Sequence, residues 1–284
     1  MIEAEILIMP NCILGEGCVW NRNEHALYFV DIDGQRVCRL KPQEKTAEAI
    51  CTDGRPGCLV FDREGGMLTA ETNCLVYRAA GKDKGVVRLR QDFPDYLRYN
   101  DGKCDRYGNL WVGTMALSQG HPNAKGGGSL YCIREDHVVA EYGGYTIPNG
   151  LAWNRDGSVF YHTDTALQEI SAYDVEDEIR LVNRRRALRI APEEGSPDGM
   201  CMDAEGNLWI AMWGGGKVNC YHLPTGEKLE EIRVPDRYVS CCCFGGEDGK
   251  NLYITTARGE DGTGGQIYQT RLQAGGSEGY RYGR

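Results

Sequence analysis

Long hydrophobic runs are missing from this chain: no apolar stretch approaches the roughly 18–20 residues of a membrane helix. No leader is expected either, because Met1-Ile2-Glu3-Ala4-Glu5 offers no positively charged start to a signal peptide. Basic charge is in deficit, with 32 Lys and Arg against 41 Asp and Glu and a net charge of −9. That balance disfavours nucleic acid and anionic membranes as partners, since both need a basic footprint. Arg184-Arg185-Arg186 is the one basic run, and it is expected to be a solvated strand end. Cysteine is plentiful at thirteen residues, yet the count is odd and no C-x-x-C pair occurs. With no export signal, the thiols are expected to be reduced, buried small hydrophobes of a cytoplasmic protein. Cys241-Cys242-Cys243 looks like a metal or redox site. Neighbours on a strand point to opposite faces, however, so three in a row cannot close one tetrahedral site. Core packing is expected there.

Familiar catalytic templates are also scarce. We read no G-x-S-x-G nucleophile elbow, no H-E-x-x-H and no Rossmann glycine pattern, and Gly214-Gly215-Gly216-Lys217 lacks the spacing and trailing hydroxyl of a P-loop. The five histidines are scattered, and His162 is expected to be a hydrogen-bonded strand residue.

Helical periodicity is nearly absent as well, and what fills its place is a repeat. Short β-branched and aromatic runs alternate with Gly, Asp, Asn and Pro turns. One unit recurs six times: a polar residue, a short apolar strand, a turn, then a second strand. Its copies run from Glu16, Gly57, Asn100, Asn149, Ser196 and Ser240. Their second strands begin near Leu27, Met67, Leu110, Val159, Leu208 and Leu252, spaced by 40, 43, 49, 49 and 44 residues. Periods of roughly 40–50 residues suit four-stranded propeller blades. The expected fold is therefore all-β, a six-bladed β-propeller forming a single domain over residues 1–284. Its N-terminal strand, Glu3–Met9, would complete the last blade and remove the open edges. Residues 116–128 form the conspicuous insertion, read as a flexible loop at one end of the ring.

In a propeller the first strand of each blade lines the central channel. Glu16, Gly57, Asn100, Asn149, Asp198 and Ser240 then share one phase and ring one mouth. Four of these six carry carboxylate or amide oxygens, the donors hard divalent cations prefer. Glycine follows each of the four at once or one residue on, and is read as freeing the backbone to turn the side chain inward. Two carboxylates facing across a channel repel unless a positive charge sits between them. Asp-Gly and Asn-Gly are common turn dipeptides, but four in one phase at strand starts argue for a site.

Leu14-Gly15-Glu16-Gly17, Arg98-Tyr99-Asn100-Asp101-Gly102-Lys103, Pro148-Asn149-Gly150-Leu151 and Pro197-Asp198-Gly199-Met200 resemble the signature motifs of the regucalcin/gluconolactonase family, as does Ser240-Cys241-Cys242-Cys243-Phe244-Gly245-Gly246. The resemblance runs in register from about residue 10 to about residue 272. It implies a six-bladed propeller with one divalent cation in the channel and hydrolysis of a sugar lactone. It further implies Glu16, Asn149 and Asp198 as metal ligands, with Asn100 a ligand or a substrate contact. Asp198 would double as the base, and Arg98 would bind sugar hydroxyls. Ca²⁺ is the first choice of ion, with Mg²⁺, Mn²⁺ and Zn²⁺ as alternatives. Where some members carry a sugar-contacting Glu, this chain has Ser118, with Gln119 and His121 nearby. Ser118 and His121 are the substrate-contact candidates of that loop. The partner implied is a small sugar lactone bound by a monomer or small homo-oligomer. Hydrolysis of other esters or organophosphates, and a non-catalytic calcium-binding role, are the alternatives.

Overall fold

The computed structural model describes residues 2–80, 86–90, 92–277 and 279–283. The chain folds as an all-β, six-bladed propeller. The innermost strands of the blades are Gly15–Asn21, Pro56–Phe61, Leu97–Cys104, Pro148–Trp153, Ser196–Met202 and Tyr238–Gly245. Each pairs antiparallel with a second strand, and these begin at Ala26, Met67, Leu110, Val159, Leu208 and Asn251. All six starts fall within one residue of those read from the repeat. The pattern is legible because each second strand is a short apolar run packed on both faces, as in buried Leu208, Trp209, Ile210, Ala211 and Met212.

Asx turns close the hairpins that the sequence marks with Asp, Asn and Gly. Asp105 accepts hydrogen bonds from the backbone N–H groups of Tyr107 and Asn109 at 2.9 Å each. It also accepts from Trp111 Nε1 at 2.8 Å. Asp203 repeats the arrangement with Asn207 and Trp209, so one acidic residue anchors both turn and core tryptophan. The core lies between blades: Trp209, Ile232, Val239, Leu252 and Tyr268 form one such layer between the fifth and sixth. The expected fate of the cysteine run follows. Cys242 enters that layer, while Cys241 joins Cys18 and Phe29 between the sixth and first blades.

The N-terminal segment is divided rather than continuous. Glu5–Ile8 pairs antiparallel with Ile267–Arg271 in the sixth blade, whereas Ile2–Glu3 pairs parallel with Glu227–Arg233 in the fifth. The break falls at buried Ala4, whose N–H donates to Arg233 O at 2.8 Å. The chain's ends thereby hold two blades together.

The insertion differs from the flexible loop expected. Leu117 N–H donates to Tyr96 O at 2.8 Å, and Ala124, itself buried, donates to His121 O at 2.9 Å. The His121 ring stacks on Tyr96 with centroids 4.3 Å apart. Turn bonds and an aromatic pair give these residues a defined path.

At the opposite end of the channel the C-terminal segment forms a strap. Ser277 N–H donates to Met202 O of the fifth blade at 3.1 Å. Tyr282 N–H donates to Phe61 O of the second blade at 2.8 Å, and buried Tyr282 packs with Val60 and Cys104. Blades two and five are opposite in a six-membered ring, so the strap crosses the far mouth. It also contains a G-x-S-x-G spacing at Gly275, Ser277 and Gly279, correcting the reading that the chain has none. No elbow results: Ser277 Oγ donates to Met202 O at 3.0 Å, and no strand leads into it or helix away from it among the described residues.

His162 lies in the strand Val159–Asp164, but it is not the hydrogen-bonded residue expected. It is 1% exposed, its two ring nitrogens find no partner, and its neighbours are the rings of Tyr145 and Phe160. Burial, reinforced by Arg184, lowers its pKa to about 3. The unfolded chain, with a histidine near 6.5, then binds a proton that the folded chain refuses, so stability falls as pH drops below that value. Between pH 7 and pH 5 this residue is expected to cost about 2 kcal/mol. Denaturant unfolding of His162→Leu at both pH values checks this: its loss across the interval should be smaller than the wild-type loss by that amount.

Candidate functional site

The ring positions owe their inward aim to irregular pairing. Every innermost strand slips register at or beside its ring residue: between Glu16 and Val19, Pro56 and Cys58, Tyr99 and Gly102, Pro148 and Leu151, Pro197 and Met200, and Val239 and Cys241. A bulge re-aims a side chain that regular alternation would send into the sheet. The glycines have a different purpose from the one read in the sequence. Of those following the four polar ring residues, only Gly17 has a positive φ, +53°. The others mark crowding between neighbouring innermost strands. A Cβ on Gly102 would lie 2.7 Å from Cys58 Sγ, on Gly150 2.4 Å from Asp198 O, and on Gly199 2.6 Å from Cys241 Sγ. Gly57 is likewise fixed by packing, with Asn100 O 2.5 Å from the position of its missing Cβ.

Four of the six ring residues come together as polar side chains. Glu16, Asn100, Asn149 and Asp198 are each 4–7% exposed. Asn100 Nδ2 donates to Asn149 Oδ1 at 3.1 Å and to Pro148 O at 2.9 Å, while Asn100 Oδ1 accepts from Arg98 Nη1 at 2.8 Å. Asn149 Nδ2 donates to Thr165 Oγ1 at 3.0 Å, and that hydroxyl donates to Pro197 O at 2.9 Å, next to Asp198. One chain of hydrogen bonds thus runs from Arg98 through Asn100, Asn149 and Thr165 to the strand bearing Asp198. Glu16 Oε2 accepts from Gly17 N–H at 2.7 Å. Ser240 stands apart, because its buried hydroxyl donates to Gly15 O at 2.5 Å and pairs with Thr255 Oγ1.

The two carboxyl groups face each other at hydrogen-bonding range, and the electrostatics follow. Burial, then the Asp101 charge, raises the Glu16 pKa to about 8. Burial, then Glu16 and Asp101, holds Asp198 well above the ordinary carboxylate range. Asp198 Oδ1 is buried and finds no partner at all. An orphaned carboxylate oxygen facing a second carboxylate, with the Asn149 amide on the adjoining ring strand, fits a hard cation, which would satisfy the lone pairs and remove the repulsion. Among the described residues no three of His, Cys, Asp and Glu gather as a metal-binding set, so the fit depends on amide oxygen as well as carboxylate.

Arg98 is 7% exposed, and burial lowers its pKa to about 10 despite Asp33. It pairs across the sheet with Met115, one residue before the insertion begins. Ser118 and His121 therefore leave the sheet at the same mouth as the ring. Ser118 is exposed, and its Oγ accepts from Gly120 N–H at 3.3 Å. His121 Nδ1 accepts from Asn123 N–H at 3.2 Å.

Sequence reasoning missed several contributors. Asp31 accepts from the N–H groups of Ile13 and Leu14 at 3.0 Å each, and Asp164 accepts from Thr146 and Ile147 at 2.9 Å each. Both sit at the ends of second strands and fix the turn ahead of Glu16 or Asn149. Their signal was their shared phase in the repeat. Asp101 was visible in the motif but lacked a reason to be singled out, because a strand in regular pairing would turn it away from the channel.

A six-bladed propeller with a buried oxygen-donor cluster at one channel mouth defines the class of protein. The chain belongs to the SMP-30/gluconolactonase/LRE-like family, whose region matches residues 14–258. It is 34% identical to regucalcin of Danio rerio over 258 residues, covering 90% of this chain and 87% of that protein. It is 34% identical to regucalcin of Oryctolagus cuniculus over 286 residues, covering 97% and 93%. Among solved structures it is similar to a luciferin-regenerating enzyme, with TM-score 0.89 and 25% identity over 99% of this chain and 100% of that one. A gluconolactonase from Xanthomonas campestris shares the fold at TM-score 0.74 and 22% identity, over 92% and 86%.

The raised carboxyl pKa values carry a stability consequence for the cation-free protein. Where Asp198 is protonated in the folded chain but ionised in the unfolded one, stability is lost as pH rises above the ordinary 3.8. Asp198→Asn removes that loss. In chelator at pH 8 the variant is expected to melt above the wild type by about 2 °C or more, and the difference should vanish near pH 4. Melting curves at both pH values check this.

Proposed function

We propose that the protein is a divalent-cation-dependent hydrolase that opens a sugar lactone to its aldonic acid. The observation that carries this reading is the unpartnered, buried Asp198 Oδ1 facing Glu16. Membership of a family whose description includes gluconolactonase supports it. In this reading Glu16, Asn149 and Asp198 hold the ion. Asn100 orients Asn149 and Arg98 through the hydrogen bonds it already makes. The ion, when bound, supplies Lewis acidity toward the lactone carbonyl. Oxygen-only donors favour Ca²⁺, with Mg²⁺, Mn²⁺ and Zn²⁺ as the other candidates.

The chain's own residues account for the rest. Asp198 accepts the proton of the attacking water and returns it to the ring oxygen as the ester bond opens. A carboxylate held by a cation is a weak base, and the neighbouring charges of Glu16 and Asp101 offset that weakness by raising proton affinity. Arg98 presents a planar donor fork to vicinal hydroxyls or the developing oxyanion. Its Nη1 is held by Tyr99 O at 2.7 Å as well as by Asn100, which pre-orients the fork. Ser118 and His121 contact the distal hydroxyls from the loop at the same mouth. Where some family members carry a sugar-contacting Glu this chain has Ser118, so their sugar preference is not carried over to it.

The deciding experiment adds single divalent ions back to chelated protein and measures acid release from a panel of aldonolactones. Release is expected only with metal, and Asp198→Ala should lower kcat by at least about 10³ while the fold persists. Tight ion binding with no lactone opened by any ion would overturn the reading in favour of another ester or a structural ion. Loss of fold in Asp198→Ala would point to the structural ion alone.

A further inference from the structure

Beneath the ring lies a half-buried charge that the proposed chemistry does not use. Lys103 belongs to the innermost strand of the third blade, yet its Nζ donates to Met200 O of the fifth at 2.7 Å. The side chain therefore crosses the channel, skipping the fourth blade. Met200 is two residues beyond Asp198, and Lys103 is three beyond Asn100. Around the ammonium lie Asp101 from its own strand, Cys201 from the fifth blade, and Cys241 and Cys242 from the sixth. Asp101 is 6% exposed and accepts from Gly102 N–H at 2.8 Å. It also faces Glu16 and Asp198. Burial acts to lower the Lys103 pKa and the Asp101 charge acts to raise it, with the net shift upward.

Charge accounting makes the arrangement informative. Three buried carboxylates, Glu16, Asp101 and Asp198, crowd one end of the channel. Arg98 and, in the cation reading, a divalent ion both face Glu16 and Asp198. The third carboxylate, Asp101, has Lys103 rather than Arg98 as its facing cation, and an unpaired buried carboxylate is costly. Lys103 opposes binding of the ion from below while balancing Asp101, and it ties the strand of Asn100 to the strand of Asp198.

We propose that Lys103 is a positioning residue that sets the cation affinity of the site, acting with Asp101 as a built-in counter-charge pair beneath it. The proposal rests on the cation reading given above. Its consequence is opposite to that of a simple strut. Removing the ammonium without breaking the fold should strengthen ion binding, whereas removing Asp101 should weaken it.

Calorimetric titration of the chelated full chain with Ca²⁺ tests this, with melting curves to establish folding. Lys103→Met is expected to bind Ca²⁺ at least about tenfold more tightly and Asp101→Asn at least about tenfold more weakly, the lower bound set by full water screening of one charge several ångströms from a divalent ion. Lys103→Arg, which keeps the charge, should hold the wild-type affinity. The double variant Asp101→Asn/Lys103→Met should return close to wild type. Weaker or unchanged binding in Lys103→Met, or a double variant as weak as Asp101→Asn, overturns the proposal. If Lys103→Met does not fold, Asp101→Asn against the double variant carries the same comparison. A wild type that binds no Ca²⁺, Mg²⁺, Mn²⁺ or Zn²⁺ overturns the cation reading itself. A wild type that binds, with Lys103→Met unaltered, overturns only the role given to Lys103.

Discussion

The close approach of six innermost strands is the constraint on which the site depends. Neighbouring strands meet without the room a Cβ needs, which leaves glycine at positions 57, 102, 150 and 199. Each strand then bulges at or beside its ring position, and the bulge turns one side chain per blade toward the axis. Crowding and aim are thus two consequences of one packing geometry. A residue in that ring is buried by its neighbours whether or not it is polar. Burial in turn makes the ionised carboxylates of Glu16 and Asp198 costly and raises their proton affinity.

Much of this was legible because a repeat states its rule six times. The starts of the second strands came from phase alone, and all six fall within one residue of the folded strands. The ring residues came from the same phase. What stayed hidden were interactions that phase does not encode. Thr165 joins Asn149 to the fifth blade through a hydroxyl in a short 3-10 turn that follows the second strand, a common residue in an unremarkable context. Asp31 and Asp164 sit at equivalent strand ends, but the fixing of a distant turn by a carboxylate is a tertiary fact. The glycines were read correctly as special and explained wrongly. Sequence shows that a side chain is missing at Gly150, not that Asp198 O fills the space. His162 failed for a related reason: strand membership does not tell whether aromatic neighbours will leave its nitrogens without partners.

The ends of the chain have complementary tasks. Residues 2–8 close two blades at their outer edges, where open strands would otherwise invite pairing with another chain. The C-terminal strap joins opposite blades at the mouth away from the ring. The mouth beside the buried polar cluster also carries Arg98 and the 116–128 segment. Variation in that segment can alter the distal contacts while the ring stays fixed, because the loop leaves the sheet beyond the paired residues Arg98 and Met115.

Electrostatics links the two levels. In water, exposed carboxylates near one another would be screened and nearly indifferent to their neighbours. Inside the channel the same groups perturb one another strongly, and Asp101, which donates no oxygen to the candidate centre in the proposed reading, still raises both Glu16 and Asp198. A site of this kind cannot be described by its ligands alone. The proton affinity of its carboxyl groups depends on the fixed charges that share the channel, and the ammonium of Lys103 reaches into that channel from another blade. That dependence explains why the polar positions of the channel form a connected set. A change at any one of them alters how readily Asp198 holds a proton.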